Sequence, residues 1–333
     1  MKHVTTTVDR MTAEALIAAA AAGGHAPSIL NTQPWRWRVE SGRLELFAEH
    51  SRQLPVTDPQ GRHLMISCGA ALHHAGTALA AAGWSAHVTQ LPDPDQPDLL
   101  ATLTVTGRAP VSEATTRLAE AISVRHTDRR PVSETSLPDA HLSAIAAAAR
   151  SEAGLHILTQ GQVPELAAAV HRAAAVQADD ERVGAELAYW TGTSAPTGTG
   201  IPAGVLPDRR AQTTVPGRDF GRTGTLPIGS GHDRAAVYAL LFGATDDPES
   251  WLRSGEALSA AWLTATTLGA SVVPLCDVVE VAYTRQTLRH LLAGLGCPHL
   301  VLRLGIADTE PAEYVHTPRL STALVEASTE RPA

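Results

Sequence analysis

Alternating hydrophobic and polar residues predict a β-hairpin early in the chain. Residues 35–39, Trp-Arg-Trp-Arg-Val, alternate with a period of two, and residues 44–47 repeat the pattern after a Ser-Gly turn. Such alternation is typical of strands that bury one face. Because aromatic side chains often fill the buried face of a sheet, we expect Trp35 and Trp37 to point into the core rather than against a ligand.

Apolar residues at a spacing near 3.6 predict a series of helices between the strands. The first is expected at residues 13–22, where Thr12 is a suitable N-cap and two glycines follow as a left-handed stop. Residues 183–190 carry no decisive pattern. Further helices are predicted at residues 60–82, 113–123, 142–150, 164–180 and 249–268, and further strands at residues 100–107, 155–158, 235–242 and 299–304.

A long stretch without periodicity occupies residues 191–232. It is crowded with glycine, proline, threonine and arginine. An irregular segment longer than about 15 residues inside a compact domain is usually a functional lid or is disordered, and we expect a lid. Residues 198–203 fit a loose dinucleotide-binding pattern, but no strand precedes them and a proline stands where the helix would begin, so we reject that interpretation.

Length and composition indicate a globular protein of roughly two domains. The chain has 333 residues, of which 44% are apolar, and a domain typically has about 150 residues. A net charge of -8 argues against non-specific binding of nucleic acid, because a phosphate backbone is attracted by a positive field. Lys2 is the only lysine, which excludes a P-loop and a pyridoxal-phosphate Schiff base.

The thiols and imidazoles predict no metal site. The three cysteines are far apart and form no Cys-x-x-Cys motif, which indicates a reducing compartment. The histidines His63, His73 and His74 lack acidic or cysteine partners at a spacing suited to zinc. The apolar run at residues 15–22 is too short to span a membrane, so we expect a cytoplasmic protein without a membrane segment.

Two stretches carry candidate chemistry. Residues 26–35, Ala-Pro-Ser-Ile-Leu-Asn-Thr-Gln-Pro-Trp, combine two prolines with small polar side chains, which leaves backbone groups free to bind a flat polar ligand. Residues 125–131, Arg-His-Thr-Asp-Arg-Arg-Pro, place forked guanidinium donors beside a hydroxyl, which suits a terminal phosphate. An ordinary polar connection is the alternative for the first stretch, and a solvated run of charge for the second.

The first stretch resembles the Ala-Pro-Ser-x-x-Asn-x-Gln-Pro-Trp signature of the flavin-dependent nitroreductase family, with every fixed position present. The second resembles the family's Arg-Arg-Ser-x-Arg element, with a histidine for the second arginine and a threonine for the serine. The resemblance implies FMN as the cofactor and no catalytic protein residue, because the flavin itself transfers hydride. It implies contacts to the phosphate and ribityl chain from Arg125, His126, Thr127, Arg129 and Arg319, and contacts to the ring from Pro27, Ser28, Ile29, Asn31, Val273, Pro274 and Leu275.

The order of the two motifs departs from the family pattern. In the family the arginine element usually comes first and two chains share their sites, whereas here the proline-serine loop comes first. Each half of this chain has therefore kept one part of a site. The resemblance implies an α+β, nitroreductase-like fold in which residues 1–120 and 121–333 form an intramolecular pseudo-dimer, with mixed or antiparallel sheets flanked by long helices. One complete and one degenerate flavin site are expected, an arrangement that resembles the Acg branch of the family.

The resemblance implies an FMN-binding, NAD(P)H-dependent oxidoreductase with ping-pong hydride transfer to a nitroaromatic, a quinone or a similar small-molecule acceptor. The alternative is a flavin-sequestering protein whose lid covers FMN and leaves little catalysis. A monomeric pseudo-dimer is expected, and further association of such monomers is the alternative. Since no internal lysine is present, either Arg129 or Arg130 would supply the cation near flavin N1.

Overall fold

The computed structural model describes residues 2–192, 194–229, 231–307, 316–321 and 325–327. Its helices are α1 (Lys2–Gly23), α2 (Arg62–Ala81), α3 (Glu113–Val124), α4 (Asp139–Ala149), α5 (Val163–Ala178), α6 (Glu181–Thr191), α7 (Pro248–Thr267), α8 (Asp277–Glu280) and α9 (Ala282–Leu291). Its strands are β1 (Trp35–Glu40), β2 (Arg43–Ala48), β3 (Trp84–Gln90), β4 (Leu99–Arg108), β5 (Gly154–Ile157), β6 (Val237–Gly243), β7 (Ser271–Leu275), β8 (Cys297–Gly305) and β9 (Val325–Ala327). The expected α+β class is confirmed.

Most of the predicted elements are confirmed to within a few residues. The predicted hairpin is β1 and β2, and both of its tryptophans are buried. The predicted start of the first helix is wrong, because α1 already begins at Lys2. No glycine or proline interrupts residues 2–12, and a single threonine such as Thr12 does not by itself end a helix. Residues 183–190, for which no element was predicted, lie in α6, and β3, β7, α8, α9 and β9 were not predicted.

The two sheets repeat one topology. The first has the order β3-β4-β2-β1-β9 and the second the order β5-β6-β8-β7. Taken in chain order, β1, β2, β3 and β4 occupy the same relative places as β5, β6, β7 and β8, and all of these pairs are antiparallel. Strand β9 adds in parallel to the free edge of β1 and makes the first sheet mixed. This repeat of elements is the tandem arrangement expected from the sequence.

The long helices α2 and α7 form the centre of the molecule, each following the second strand of its sheet. A Cβ atom on Gly69 would overlap the carbonyl oxygen of Leu252, and one on Gly255 would overlap that of Ile66. The backbones of the two helices therefore touch at a pair of glycines, as small residues allow. One hydrophobic core extends through both helices and across both sheets.

An insertion distinguishes the two halves. The connection from β1 to β2 is a two-residue turn, whereas α5, α6 and an irregular segment separate β5 from β6. We call residues 192–229 of this segment the lid. Apart from the short 3-10 helix Ala203–Val205, the lid has no helix among its described residues. Its apolar side chains, including Ile201 and Leu206, pack with α6 against Leu30 of the first half.

Helix α2 is long and apolar enough by composition to cross a membrane. About two thirds of its apolar window (67%) is buried inside the protein. It packs against α1, α3 and α7, so in this structure it is the central helix of the fold.

Candidate functional site

A cavity of about 620 Å³ lies where the two halves meet. Its walls come from the loop after α1, the stretch after α3, strand β7, the lid and the short tail of residues 316–321. All of the site residues predicted from the sequence line this one cavity: Pro27, Ser28, Ile29, Asn31, Arg125, His126, Thr127, Arg129, Val273, Pro274, Leu275 and Arg319. The two motifs, about a hundred residues apart in sequence, thus face each other across a single space.

The loop after α1 is held in an unusual backbone conformation. Leu30, Asn31 and Gln33 all have φ near +50°, in the left-handed region that residues with a side chain rarely adopt. The hydroxyl of Ser28 accepts a hydrogen bond from the Gln33 amide at 2.9 Å, and the hydroxyl of Ser67 on α2 accepts one from the Ile29 amide at 3.2 Å. Such strain persists only where the surroundings enforce it.

Arg125 is buried against the floor of the cavity. Its side chain lies over the ring of Trp262, 4.6 Å from the ring centroid, and donates to the carbonyl oxygen of His25 at 3.2 Å. Its Nε has no hydrogen-bond partner within the described residues. Burial, with a smaller contribution from Arg319, lowers its pKa to about 9. A guanidinium that is buried and repelled in this way favours a nearby anion.

Arg319 reaches the same place from the tail. It donates to the Oδ1 atom of Asn31 at 2.8 Å, to the hydroxyl of Thr317 at 2.6 Å and to the carbonyl oxygen of His25 at 3.3 Å. Its Nε also lacks a partner in the described part of the chain, and burial lowers its pKa to about 10. Arg125 and Arg319 therefore converge on the carbonyl of His25, and neither faces a described carboxylate.

Arg129 and Arg130 differ sharply although they are neighbours. Arg129 lines the cavity, with its guanidinium 5.5 Å from the ring centroid of Phe220 and 3.4 Å from the carbonyl oxygen of Val205. Burial lowers the pKa of Arg129 to about 10. Arg130 instead forms a two-point ion pair with Asp128, at 2.7 and 2.8 Å. Of the two candidates for a cation at the ring, only Arg129 is among the residues that line the cavity.

Three imidazoles surround the converging arginines. Partial burial and then the charges of Arg319 and Arg125 lower the pKa of His25. Burial is the largest cause of the lowered pKa of His126, and His316 also lines the cavity. The lowered pKa values of His25 and His126, beside guanidinium groups without a described carboxylate partner, indicate a positive potential at this end of the cavity.

Arg303 is a cavity residue that the sequence analysis missed. It lies on β8, is 6% exposed, and donates to the carboxylate of Asp233 at 2.7 Å and to the carbonyl oxygens of Asp128 and Arg130. It thereby fixes the backbone that carries Arg129. A charged residue within the otherwise apolar run of β8 was the available signal.

The lid covers the cavity with further arginines. Arg209 and Arg222 line the cavity and donate only to carbonyl oxygens among the contacts described. Arg218 forms a buried two-point ion pair with Glu280 on α8, at 2.7 and 2.8 Å. The one carboxylate among the lining residues described, Asp219, is paired with Arg210. The lid therefore covers the cavity and is held to α8 by the ion pair between Arg218 and Glu280.

The equivalent place on the other side of the pseudo-dimer is different. By the correspondence of elements, it lies near the end of β3 and the residues after α4. There Gln90 donates to the buried carboxyl of Glu256, and Arg253 donates to Gln90 at 3.1 Å. Burial, and then the charge of Glu152, raise the pKa of Glu256 to about 8. A buried carboxyl, paired with an amide, stands where the cavity has converging arginines, and the degenerate second site stays a prediction.

Asn31 and Gln33 also have a role that the sequence did not suggest. The side-chain amides of both residues form hydrogen bonds with the lid and with the tail. Asn31 lines the cavity, and its predicted place beside a ring stays a prediction; Gln33 lies behind the cavity wall.

Comparison with known proteins identifies close relatives. No protein-family model matches the chain. Rv3131 of Mycobacterium tuberculosis strain H37Rv, whose name assigns it provisionally as an NAD(P)H nitroreductase, is 39% identical over 301 residues, which cover 88% of this chain and 86% of the relative. Acg of the same organism, named in the same way, is 35% identical over 301 residues, covering 88% of this chain and 89% of the relative.

Among solved structures, an FMN-bound nitroreductase from Bacteroides fragilis is similar, with a TM-score of 0.36 and 14% identity. The similarity covers 61% of this chain and 98% of that chain.

Proposed function

We propose, from the premise that the chain belongs to the nitroreductase family with Rv3131 and Acg, that this oxidoreductase binds FMN and transfers hydride from NAD(P)H to a small-molecule acceptor. Family membership rests on 35–39% identity along most of both chains. The observation that carries the cofactor is the cavity itself, where the signature loop faces buried guanidinium groups that have no described carboxylate partner.

The converging arginines fit a phosphate. A buried Nε without a hydrogen-bond partner is unfavourable, and a phosphate oxygen would satisfy those of Arg125 and Arg319 at once. Thr127 and His126, which follow Arg125 in sequence, line the same cavity. We assign these four residues to the phosphate and ribityl chain of FMN.

The opposite walls fit a flat ring. Pro27 and Ile29 line the cavity together with the edge strand β7, whose outer backbone groups are not used by the second sheet. We assign Pro27, Ser28, Ile29, Asn31, Val273, Pro274 and Leu275 to the ring and Arg129 to its electron-rich end. When bound, the flavin supplies hydride acceptance and donation. The protein excludes water with its lid and holds a positive charge where reduction adds negative charge.

A single cavity favours ping-pong kinetics, because donor and acceptor would occupy the same space in turn. We propose a nitroaromatic, a quinone or a similar compound as the acceptor, and cytoplasmic location. The division into residues 1–120 and 121–333, folded as a monomeric pseudo-dimer, is proposed on the repeat of elements. In that division β9 is a strand that the second half contributes to the sheet of the first.

A flavin-sequestering protein is the second candidate, and the lid favours it. The buried pair between Arg218 and Glu280 fastens the lid over the cavity, which would obstruct access of nicotinamide to a bound ring. In that case little turnover would accompany tight binding of FMN.

The experiment that tests the proposal is the visible absorption spectrum of the purified protein, with the chromophore released, identified and measured against protein. About one FMN for each chain is expected, together with oxidation of NADPH or NADH in the presence of a quinone. The variant Arg125→Ala should weaken FMN binding by roughly 10- to 100-fold, as for loss of a charged hydrogen-bonding partner. The matched control is Arg182→Ala, which removes an exposed arginine paired with Asp180.

A protein that remains colourless and fails to bind added FMN would overturn the proposed cofactor. Stoichiometric FMN without turnover by any nicotinamide donor would support the sequestering alternative instead. Equal effects of the Arg125 and Arg182 substitutions would overturn the assignment of the phosphate site.

A further inference from the structure

Two side-chain amides of the signature loop tie together two segments that are remote in sequence. Gln33 donates from Nε2 to the carbonyl oxygen of Gly198 in the lid at 2.7 Å. Its Oε1 accepts from the backbone amide of Leu320 in the tail at 2.9 Å. The side chain is 1% exposed, so both hydrogen bonds are shielded from water. Gln33 therefore bridges the lid and the tail with its only donor group and its only acceptor atom.

Asn31 repeats this bridge two residues earlier. Its Nδ2 donates to the carbonyl oxygen of Gly200 in the lid at 3.0 Å and to that of Pro318 in the tail at 2.9 Å. Its Oδ1 accepts from Arg319 at 2.8 Å, and its backbone carbonyl accepts from the amide of Gly200 at 3.2 Å. We call the Asn31 and Gln33 side chains the amide clasp.

The lid and the tail also touch each other at the clasp. A Cβ atom on Gly198, whose φ is +89°, would lie 2.8 Å from the carbonyl oxygen of Arg319. The lid backbone can therefore approach the tail only because this residue is glycine. Movement of one segment away from the loop would disturb the contacts of the other.

The base of the clasp is rigid. Arg52 donates to the carbonyl oxygen of Gln33 at 2.8 Å and to that of Trp35 at 2.6 Å, which fixes the peptide that carries the amide. Asn31 and Gln33 both have a left-handed φ, and the side chains of both contact the same two segments, the lid and the tail. This rigid backbone indicates that the loop is preorganised to hold the lid and the tail in one arrangement.

We infer that the amide clasp couples closure of the lid to the placement of Arg319 at the cavity, and that Gln33 is a positioning residue that acts through the lid and the tail without lining the cavity. The consequence for FMN rests on the proposed function. The joining of lid and tail does not, because it involves only groups of this chain.

Substitution of Gln33 by glutamate separates the two contacts. A carboxylate still accepts from the Leu320 amide but cannot donate to the Gly198 carbonyl, which it would repel. A protonated carboxyl has one donor and one acceptor and restores both bonds, and burial raises the pKa of such a group. The variant Gln33→Glu should therefore lose the Gln33 half of the clasp at pH 8 and regain it near pH 5. The variant Gln33→Leu should lose it at both values.

The measurement is amide hydrogen exchange of the full chain without FMN, comparing each variant with the wild type at the same pH. At pH 8, Gln33→Glu should speed exchange of the Gly198–Gly200 stretch and of Leu320 together, by roughly 10- to 100-fold, as for loss of one or two buried hydrogen bonds. Both segments should return to within about twofold of the wild type at pH 5, whereas Gln33→Leu should not recover.

The matched control is Gln53→Glu. Gln53 also donates from its amide to backbone carbonyls, those of Asp58 and Pro59, but forms no hydrogen bond to the described residues of the lid or the tail. The variant Gln53→Glu should leave amide exchange in the lid and in the tail unchanged. Faster exchange of the lid without the tail, or of the tail without the lid, would overturn the coupling. The same would follow if Gln33→Leu matched the wild type, or if Gln53→Glu reproduced the effect.

A second measurement links the clasp to the cofactor. The FMN dissociation constant of Gln33→Glu, divided by that of the wild type at the same pH, should be about tenfold at pH 8 and fall towards one at pH 5. For Gln33→Leu the ratio should stay constant. If FMN does not bind the wild type at all, the proposed function fails while the exchange experiment still decides the coupling. The ratio of FMN dissociation constants for Gln33→Glu could instead be the same at both pH values while amide exchange of the lid and the tail changes as expected. That result would show that the clasp does not act on the cofactor.

Discussion

The ion pair between Arg218 and Glu280 should control how firmly the lid is closed. The guanidinium of Arg218 contacts both carboxylate oxygens, and the two side chains are 8% and 2% exposed. Burial alone would lower the pKa of Arg218, but the charge of Glu280 outweighs it and the pKa is raised. After the substitution Arg218→Met, only the Gln177 amide, at 2.6 Å, would still contact the Glu280 carboxylate among the partners described.

The expected loss follows from leaving a buried charge without its partner. Removing one member of a buried ion pair typically costs about 3–5 kcal/mol. Because Arg218 belongs to the lid, the lid can open and let water reach Glu280, so the measured loss is limited to the free energy of lid opening. The double substitution Arg218→Met with Glu280→Gln removes both charges and should recover most of the stability, since replacing a whole buried pair is often nearly neutral.

Urea unfolding and limited proteolysis of the lid would measure these effects. We expect faster cleavage within the lid for Arg218→Met and near-normal cleavage for the double variant. The control Arg182→Met breaks a pair that is 78% and 31% exposed, and should change stability by less than about 1 kcal/mol. Equal stability and equal lid cleavage in the single and double variants would refute the reasoning. Faster NADPH oxidation by Arg218→Met would favour the sequestering candidate, and slower oxidation would favour a lid that assists turnover.

Three further outcomes follow from charge and packing. Partial burial and neighbouring arginines lower the pKa of His25, and a bound phosphate would reverse the effect of the arginines. Binding should therefore take up a proton, and FMN affinity measured by fluorescence should fall with rising pH more steeply in the wild type than in His25→Gln. The raised pKa of Glu256, about 8, means that its folded state loses stability as pH rises from about 4.5 to 8. Relative to the wild type, Glu256→Gln should gain up to about 5 kcal/mol across that window in urea unfolding, whereas a constant difference would contradict the burial of a carboxyl there. In thermal unfolding, Gly69→Ala should lower stability by about 1–3 kcal/mol through overpacking against α7, while Gly76→Ala on the same helix, where a Cβ meets open space, should raise it by up to about 1 kcal/mol.

Local patterns were sufficient to predict most of the elements and the cavity walls. Period-two alternation identified the first hairpin, and helical spacing identified α2 and α7, because each depends on residues close together in sequence. The two motifs identified the residues of one cavity for the same reason. Thr12 does not begin α1, because the preference of a threonine for the N-cap is local and the helix continues through it from Lys2.

The contacts that organise the site were not predictable in this way. Gln33 meets Leu320 across 287 residues, and Arg62 meets Asp246 across 184, so neither pairing leaves a trace in local spacing. Arg303 is hidden for a related reason, because its partner Asp233 and the carbonyls it contacts come from different parts of the chain. These groups are brought together by the packing of the two halves, which the sequence indicated only as a repeat.

Fusion of two halves explains why the site is asymmetric. In a symmetric dimer every insertion and substitution occurs at both sites, so a lid in one subunit would have a copy in the other. In a single chain the segment between β5 and β6 can grow into a lid while the segment between β1 and β2 stays a two-residue turn. The same freedom allows a buried carboxyl, Glu256, at the place in the second sheet's half that corresponds to the cavity, while the cavity itself keeps Arg125 and Arg319. One half could thus specialise in closing the cavity that the other half helps to form.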